Sequence, residues 1–225
     1  MYNTIKGWLG EKATTFGLWV LLDKNIYRRV DNIIVPAHDG TTQIDHVLVS
    51  VYGIFVVETK NLQGWIFGSR DQSQWTQNIY GKKFRFQNPL LQNYRHTKCL
   101  SEYLRLDHDV FHSIVWFISE CEFKTEMPEN VLGSGFMGYL GKFTQPCLSP
   151  QQVTDIENTL LALKAGHSIT KAEHLHSLEV RHDSGNACPR CGGQLVERTA
   201  RHGTNVGNRF LGCANYPRCK FTRNI

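Results

Sequence analysis

Gln43-Ile44-Asp45-His46-Val47-Leu48-Val49-Ser50-Val51-Tyr52-Gly53-Ile54-Phe55-Val56-Val57-Glu58-Thr59-Lys60 is a pair of apolar, β-branched runs divided by Tyr52-Gly53. Runs of this kind with a short glycine-bearing break read as a β-hairpin. With the turn centred between Val51 and Tyr52, the two positions of each cross-strand pair sum to 103, which sets Asp45 opposite Glu58. Directly opposed residues have β-carbons about 5 Å apart, close enough for two carboxylates to share one divalent cation. Glu58 and Lys60 are two apart and share a face of an extended strand. Their neighbours Ile44, Val47, Val49, Phe55 and Val57 are apolar, as buried strands require. Charges on such strands are costly unless something satisfies them. A structural cross-strand salt bridge is the plainer reading of the same three residues.

Working outward, residues 3–22 read as a helix with Trp8, Leu9, Phe16, Trp19 and Val20 near helical spacing and Glu11 on another face. Val30–Val35 is a further strand, and weaker ones follow at Gly64–Gly68 and Lys82–Phe86. Asn88-Pro89 opens a helix running to about Leu106, with Pro89 at the first helical position, where a missing N–H costs nothing. Ser113–Cys121 is a strongly apolar, central strand, and Phe136–Leu140 reads as another. Ser149-Pro150 caps a helix to about Leu163, and Thr170 with Glu173 forms a capping box for a last one. This order predicts an α/β domain, a mixed sheet flanked by helices, over residues 1–180, with its motif core about 1–120. The polar Arg181–Asn186 stretch links it to a second module at 186–225.

That second module holds Cys188, Cys191, Cys213 and Cys219, spaced C-x2-C-x21-C-x5-C in turn-rich sequence. Two cysteine pairs supply the closed tetrahedral thiolate set of a structural zinc site, and the segment is too short for a conventional core. From Asn186 to Ile225 it carries seven Lys/Arg against the single acid Glu197, leaving the other 185 residues about neutral although the whole chain is +5. A basic excess concentrated in one small module is an electrostatic footprint for polyanions. Phe210 and Tyr216 lie among Arg198, Arg209, Arg218 and Lys220, and aromatics interleaved with cations suit exposed bases and phosphates, so single-stranded nucleic acid is the expected partner. Alternatively the aromatics only cover the metal and the charge only keeps the module soluble.

No apolar run is long enough to span a bilayer, and Phe16–Leu22 reads as a helix face rather than a signal peptide. Cys99, Cys121 and Cys147 form an odd, scattered set with no disulfide pattern, which suits a reducing cytoplasm. His108 with His112, and His174 with His176, lack the neighbouring ligands that a metal site needs.

The tail's Cys188-Pro-Arg-Cys191-Gly-Gly and Gly212-Cys213-Ala-Asn-Tyr216-Pro-Arg-Cys219 blocks resemble the C4 zinc finger at the C-terminus of type IA DNA topoisomerases. The hairpin, with Gly7–Glu11 before it and Gly64–Gly68 and Asn88–Gln92 after it, resembles the nuclease-related domain (NERD), and Asp45 followed by Glu58-Thr59-Lys60 resembles the PD-(D/E)xK motif. Ile44 stands where that motif has proline. The resemblance implies a restriction-endonuclease-like fold and a metal-dependent deoxyribonuclease. In that reading Mg²⁺ or Mn²⁺ is held by Asp45 and Glu58, Lys60 serves the attacking water, Glu11 completes the metal shell and Gln92 orients Lys60 or a phosphate. The tail adds structural Zn²⁺ and contacts single-stranded DNA. The competing expectations are a non-catalytic nucleic-acid binding protein with a nuclease-like fold, and an RNA-directed one. Dimers occur among such nucleases, but no dimer surface is legible, and no membrane partner is expected.

Overall fold

A computed structural model describes residues 22–37, 40–166, 173, 187–188, 193–201 and 206–224. Within it the chain from Arg28 to Lys60 is an antiparallel meander of β1 (Arg28–Ala37), β2 (Gly40–Ser50) and β3 (Gly53–Lys60). The β2–β3 ladder pairs Ser50 with Gly53, Val49 with Ile54 and His46 with Val57, the register read from the sequence. β7 (Phe111–Phe117) lies parallel to β3, and β9 (Val131–Leu132) parallel to β7, completing a mixed sheet in the order β1-β2-β3-β7-β9. Ile54 to Val57 are all fully buried. A central strand covered on both faces carries an unbroken apolar run rather than an alternating one.

One face of this sheet packs Val47, Val49, Ile54 and Val56 against α1 (Pro89–Leu104) and α3 (Pro150–Ala165) through Leu100, Val153, Ile156 and Leu160. The other packs Leu48, Phe55, Val57 and Trp116 against Leu22 and α2 (Phe136–Leu140). Ile44 joins Val47 in the first cluster, and Ile33 joins Val30. Strict alternation would put those partners on opposite faces, so side-chain alternation slips at Asp45–His46, level with Asn32, whose φ is +53°. The slip turns Asp45 out of the simple two-residue period.

β3 and β7 break at the same level, at residues 61–63 and 118–120, and both resume in a second sheet as β4 (Gly64–Phe67) and β8 (Cys121–Phe123), again parallel. β5 (Gln74–Ile79) and β6 (Lys82–Gln87) extend it in the order β6-β5-β4-β8. The expected single strand over Ser113–Cys121 is therefore two strands in two sheets. Ile118 N donates to Lys60 O at the bend, and Ser119 Oγ reaches the Asn61 side chain.

Phe136–Leu140, expected as a strand, is a helix. Phe136 and Leu140 are buried at i and i+4 while Met137 and Tyr139 are half-buried and Gly138 is exposed, which is the helical period in a segment too short to display it twice. Strand β5 went unread because its polar sequence holds only Trp75 and Ile79 as apolar positions.

Helix α1 is anchored at its start as expected. Asn88 is fully buried; its Oδ1 accepts from Leu90 N at 2.9 Å and its Nδ2 donates to the carbonyls of Ser69 and Gln72. Pro89 fills the first helical position. α3 begins with the full Ser149/Gln152 capping box. All of the expected helix over residues 3–22 except its last residue Leu22, Glu11 included, and Thr170 of the expected capping box lie outside the described residues. A third sheet, β10 (Leu195–Thr199), β11 (Arg209–Cys213) and β12 (Thr222–Asn224), forms the cysteine-bearing tail. Among the described residues no helix is long and apolar enough to cross a membrane.

Candidate functional site

Glu58, near the end of β3, is only 4% exposed. Lys60, two residues on and therefore on the same face, donates from Nζ to Glu58 Oε1 at 2.6 Å and to Gln92 Oε1 at 2.9 Å. Gln92 and His96 lie one turn apart on α1, so both reach this face. His96 Nε2 lies 3.2 Å from Glu58 Oε2, although off the line of a good hydrogen bond, and His96 Nδ1 is 2.8 Å from Thr42 Oγ1. Burial pushes the Glu58 carboxyl up, but the His96 and Lys60 partners outweigh it and hold its pKa below the ordinary glutamate value. Glu58 is thereby kept ionised in the interior.

Asp45 stands one residue beyond the last position of β2 that pairs with β3, His46. Its Oδ2 accepts from Thr59 N at 2.9 Å and from Thr59 Oγ1 at 2.7 Å. The carboxylate is thus pinned beside the Glu58–Thr59 peptide, directed to Thr59 rather than across to Glu58, in keeping with the slip in β2. The structure brings Glu58, Lys60 and Gln92 into one network and sets Asp45 at its edge; Glu11 lies outside the described residues. Asn93 fixes the helix that carries Gln92 by donating from Nδ2 to the Val56 and Ile114 carbonyls of β3 and β7, each at 2.9 Å.

Thr42 and His96 were missed from sequence. The usable signal was the i, i+4 spacing of Gln92 and His96, which places His96 on whatever face Gln92 occupies. The other histidines have structural surroundings. His108 contacts Thr97 Oγ1 at 3.0 Å, and His112 is 3.1 Å from the Tyr52 carbonyl and wedged between Phe55 and Phe143. His174 and His176 lie outside the described residues.

In the tail, the sulfurs of Cys188, Cys213 and Cys219 are buried and within 4.8 Å of one another. Cys188 Sγ and Cys219 Sγ are 3.6 Å apart. That is far beyond a disulfide bond and close to the ~3.8 Å edge of a tetrahedron with 2.3 Å zinc–sulfur bonds. Asn215 N donates to Cys213 Sγ at 3.4 Å, as suits a thiolate. The donor set fits structural zinc; Cys191, the fourth cysteine, lies outside the described residues.

The zinc-type tail rests on α1. Leu91 packs with Cys188, Leu195, Cys213 and Cys219, and the Arg218 guanidinium sits 3.8 Å from the centre of the Tyr94 ring. A cleft of about 780 Å³ opens along this junction, with Arg70, His112, Tyr139, Arg218 and Lys220 in its walls. Its walls include none of Asp45, Glu58, Lys60 or Gln92. The cleft has ionisable groups of its own, Asp71 and Glu129 among them, and is a separate place from the Glu58–Lys60 cluster. Of the other expected contact residues, Arg198 lies over the exposed Tyr216 ring at 5.8 Å, Arg209 pairs with Glu197, and Phe210 is half-buried on β11.

Comparison with known proteins follows these two modules. The family described as "Nuclease-related domain" matches residues 6–118, and that described as "Topoisomerase DNA binding C4 zinc finger" matches residues 185–225. An uncharacterized protein of Bacillus anthracis is 45% identical over 95 residues, 42% of this chain and 45% of that protein. DNA topoisomerase 1 of Helicobacter pylori is 37% identical over 51 residues, 23% of this chain and 6% of the enzyme. That of Archaeoglobus fulgidus is 54% identical over 35 residues, 16% of this chain and 5% of the enzyme. The chain thus spans less than half the length of each of these relatives. No solved structure matches.

Proposed function

We propose, from the premise that this chain belongs to the nuclease-related domain family, that it is a divalent-metal-dependent phosphodiesterase acting on DNA, built from a nuclease-like module at 1–180 and a DNA-gripping zinc module at 186–225. The observation that carries this reading is the Glu58–Lys60–Gln92 network, buried at Glu58 and half-buried at Lys60 and Gln92, with Asp45 pinned at its edge. Two carboxylates of this kind fit Mg²⁺ or Mn²⁺, which takes one or two protein carboxylates and completes its shell with water and substrate phosphate. Such an ion would polarise the scissile phosphate and offset the charge of the leaving oxygen.

The chain's own residues do the rest. Asp45 uses one oxygen for Thr59 and keeps the other for a cation. Lys60 has three N–H donors, two of them committed to Glu58 and Gln92, and the third is available to a phosphate oxygen or the attacking water. Gln92 fixes where that third donor aims. Glu11 is the proposed additional ligand. The basic tail would raise the local concentration of substrate through Arg198, Arg209, Phe210, Tyr216, Arg218 and Lys220, with a preference for single strands. The scattered unbridged thiols Cys99, Cys121 and Cys147 suit a reducing cytoplasm.

One observation favours the alternative, a nucleic-acid binding protein that does not cut: both Glu58 oxygens already face partners, Lys60 at Oε1 and His96 at Oε2. The two readings separate in one experiment. Plasmid and labelled oligonucleotides are incubated with Mg²⁺ or Mn²⁺ and the protein, beside Asp45→Ala and Lys60→Ala. The hydrolytic reading expects cleavage by the wild type alone. Equal inertness of all three on DNA and RNA, with binding retained, would leave only the binding function.

A further inference from the structure

Strands β5 and β6 form a hairpin arm rooted in the core and exposed at its far end. At the root, Trp75 is fully buried, pairs with Phe86 across the ladder and stacks over Phe117. At the far end, Lys82, Lys83, Phe84 and Arg85 are all exposed, Phe84 by 50%, and Tyr80 at the tip is 96% exposed. A β-carbon added at Gly81 would meet nothing within 4 Å. With six residues in each strand, the arm is about 20 Å long.

The tip is a two-residue turn with φ +50° at Tyr80 and +77° at Gly81. That conformation favours asparagine, aspartate or glycine at the first position and makes a tyrosine costly. Between Asp71 and Glu102 the chain has no acidic residue, so the arm's Lys82, Lys83 and Arg85 stand uncompensated within it. On the outer face Lys83 pairs with Asn78 and Asn78 with the half-exposed Trp65, so aromatic surface continues onto the body, where the Lys124 ammonium lies 4.7 Å over the Trp65 ring and is paired with Glu122.

Lysines on an edge strand can serve simply to prevent edge-to-edge aggregation. Tyr80 and Phe84 oppose that purpose, because exposed aromatics on an edge promote association. We propose that β5–β6 is a nucleic-acid-binding arm, in which Tyr80 stacks on an unpaired base while Lys82, Lys83 and Arg85 take adjoining phosphates. This rests on the nucleic-acid reading above but adds a contact surface separate from the zinc tail, and it holds whether or not the protein cuts.

The test is fluorescence anisotropy of a labelled single-stranded oligonucleotide with the full-length, zinc-loaded chain in the Asp45→Ala background, over a salt series. Tyr80→Ala is expected to weaken binding about tenfold with the salt dependence intact, and Tyr80→Trp to restore it. Replacing Lys82, Lys83 and Arg85 by alanine together should flatten the log–log salt slope by about 2. If the parent binds and the arm variants bind with the same affinity and slope, the arm proposal is overturned. Variants that precipitate while binding normally overturn it too, in favour of aggregation control. A parent that binds no oligonucleotide sinks the nucleic-acid reading itself, whereas cleavage unaffected by Asp45→Ala removes only the assigned catalytic site.

Discussion

Lys60 Nζ and Gln92 Oε1, 32 positions apart in the chain, meet at 2.9 Å and join the strand that bears the acidic group to the helix beside it. The amide adds no charge, so its contribution is direction. Gln92→Ala is expected to lower kcat by about tenfold to a hundredfold while oligonucleotide affinity and the thermal midpoint stay near wild type. Steady-state cleavage set beside anisotropy measures the split; an equal loss in both would mean Gln92 contacts substrate directly.

Glu58 carries a pH signature. Its folded pKa is below the ordinary glutamate value of 4.5, so its ionised form contributes stability that is present above that value and lost as pH falls through the folded pKa. Urea melts between pH 6 and pH 3 should show stability falling on the acid side. Glu58→Gln should flatten that fall, and an unchanged acid limb would show that its partners do not hold it ionised.

His96 is expected to matter through Glu58. His96→Ala would leave one buried Glu58 oxygen and the Thr42 hydroxyl without their partner, costing about 1–3 kcal/mol in a chemical melt. His96→Gln, which can restore one of the contacts, should recover part of that loss and part of the cleavage rate.

Asn88 is a concentrated polar anchor, capping α1 and holding the Ser69 and Gln72 carbonyls. Removing its side chain takes away a helix cap worth about 1 kcal/mol and strands buried carbonyls at about 1–3 kcal/mol. Asn88→Ala should therefore lower the unfolding free energy by about 2–4 kcal/mol, and Asn88→Asp, which keeps the acceptor but loses the donors, should fall between.

The tail should bind a single zinc ion and lose its strands when the metal is removed, because metal binding supplies on the order of 10 kcal/mol of folding free energy to so small a module. Atomic absorption gives the stoichiometry. Amide spectra of β10–β12 before and after chelation give the structural outcome, and persistence of those strands without metal would contradict it.

Much of this was legible because the decisive elements announce themselves by period. The Gln43–Lys60 register followed from Tyr52-Gly53 and the alternation around it, and Asn88-Pro89 marked the helix that presents Gln92. Asp45 was harder to place: the alternation slip at Asp45–His46 depends on Asn32 across the sheet, a contact no local pattern encodes. His96 went unnoticed because a lone histidine on a mostly polar helix face looks ordinary until Thr42 and Glu58 are seen on either side. Phe136–Leu140 and Gln74–Ile79 were each too short or too polar for their period to separate helix from strand, so tertiary packing decided them.

Leu91 and Gln92 are neighbours on a single helical turn, one sealing the sulfur cluster and the other steadying the ammonium. The module that grips and the module that would cut therefore share a common spar, and slack introduced at one end is transmitted to the other. An oxidant that unseats the thiolates would slow hydrolysis even of a substrate too short to reach the tail.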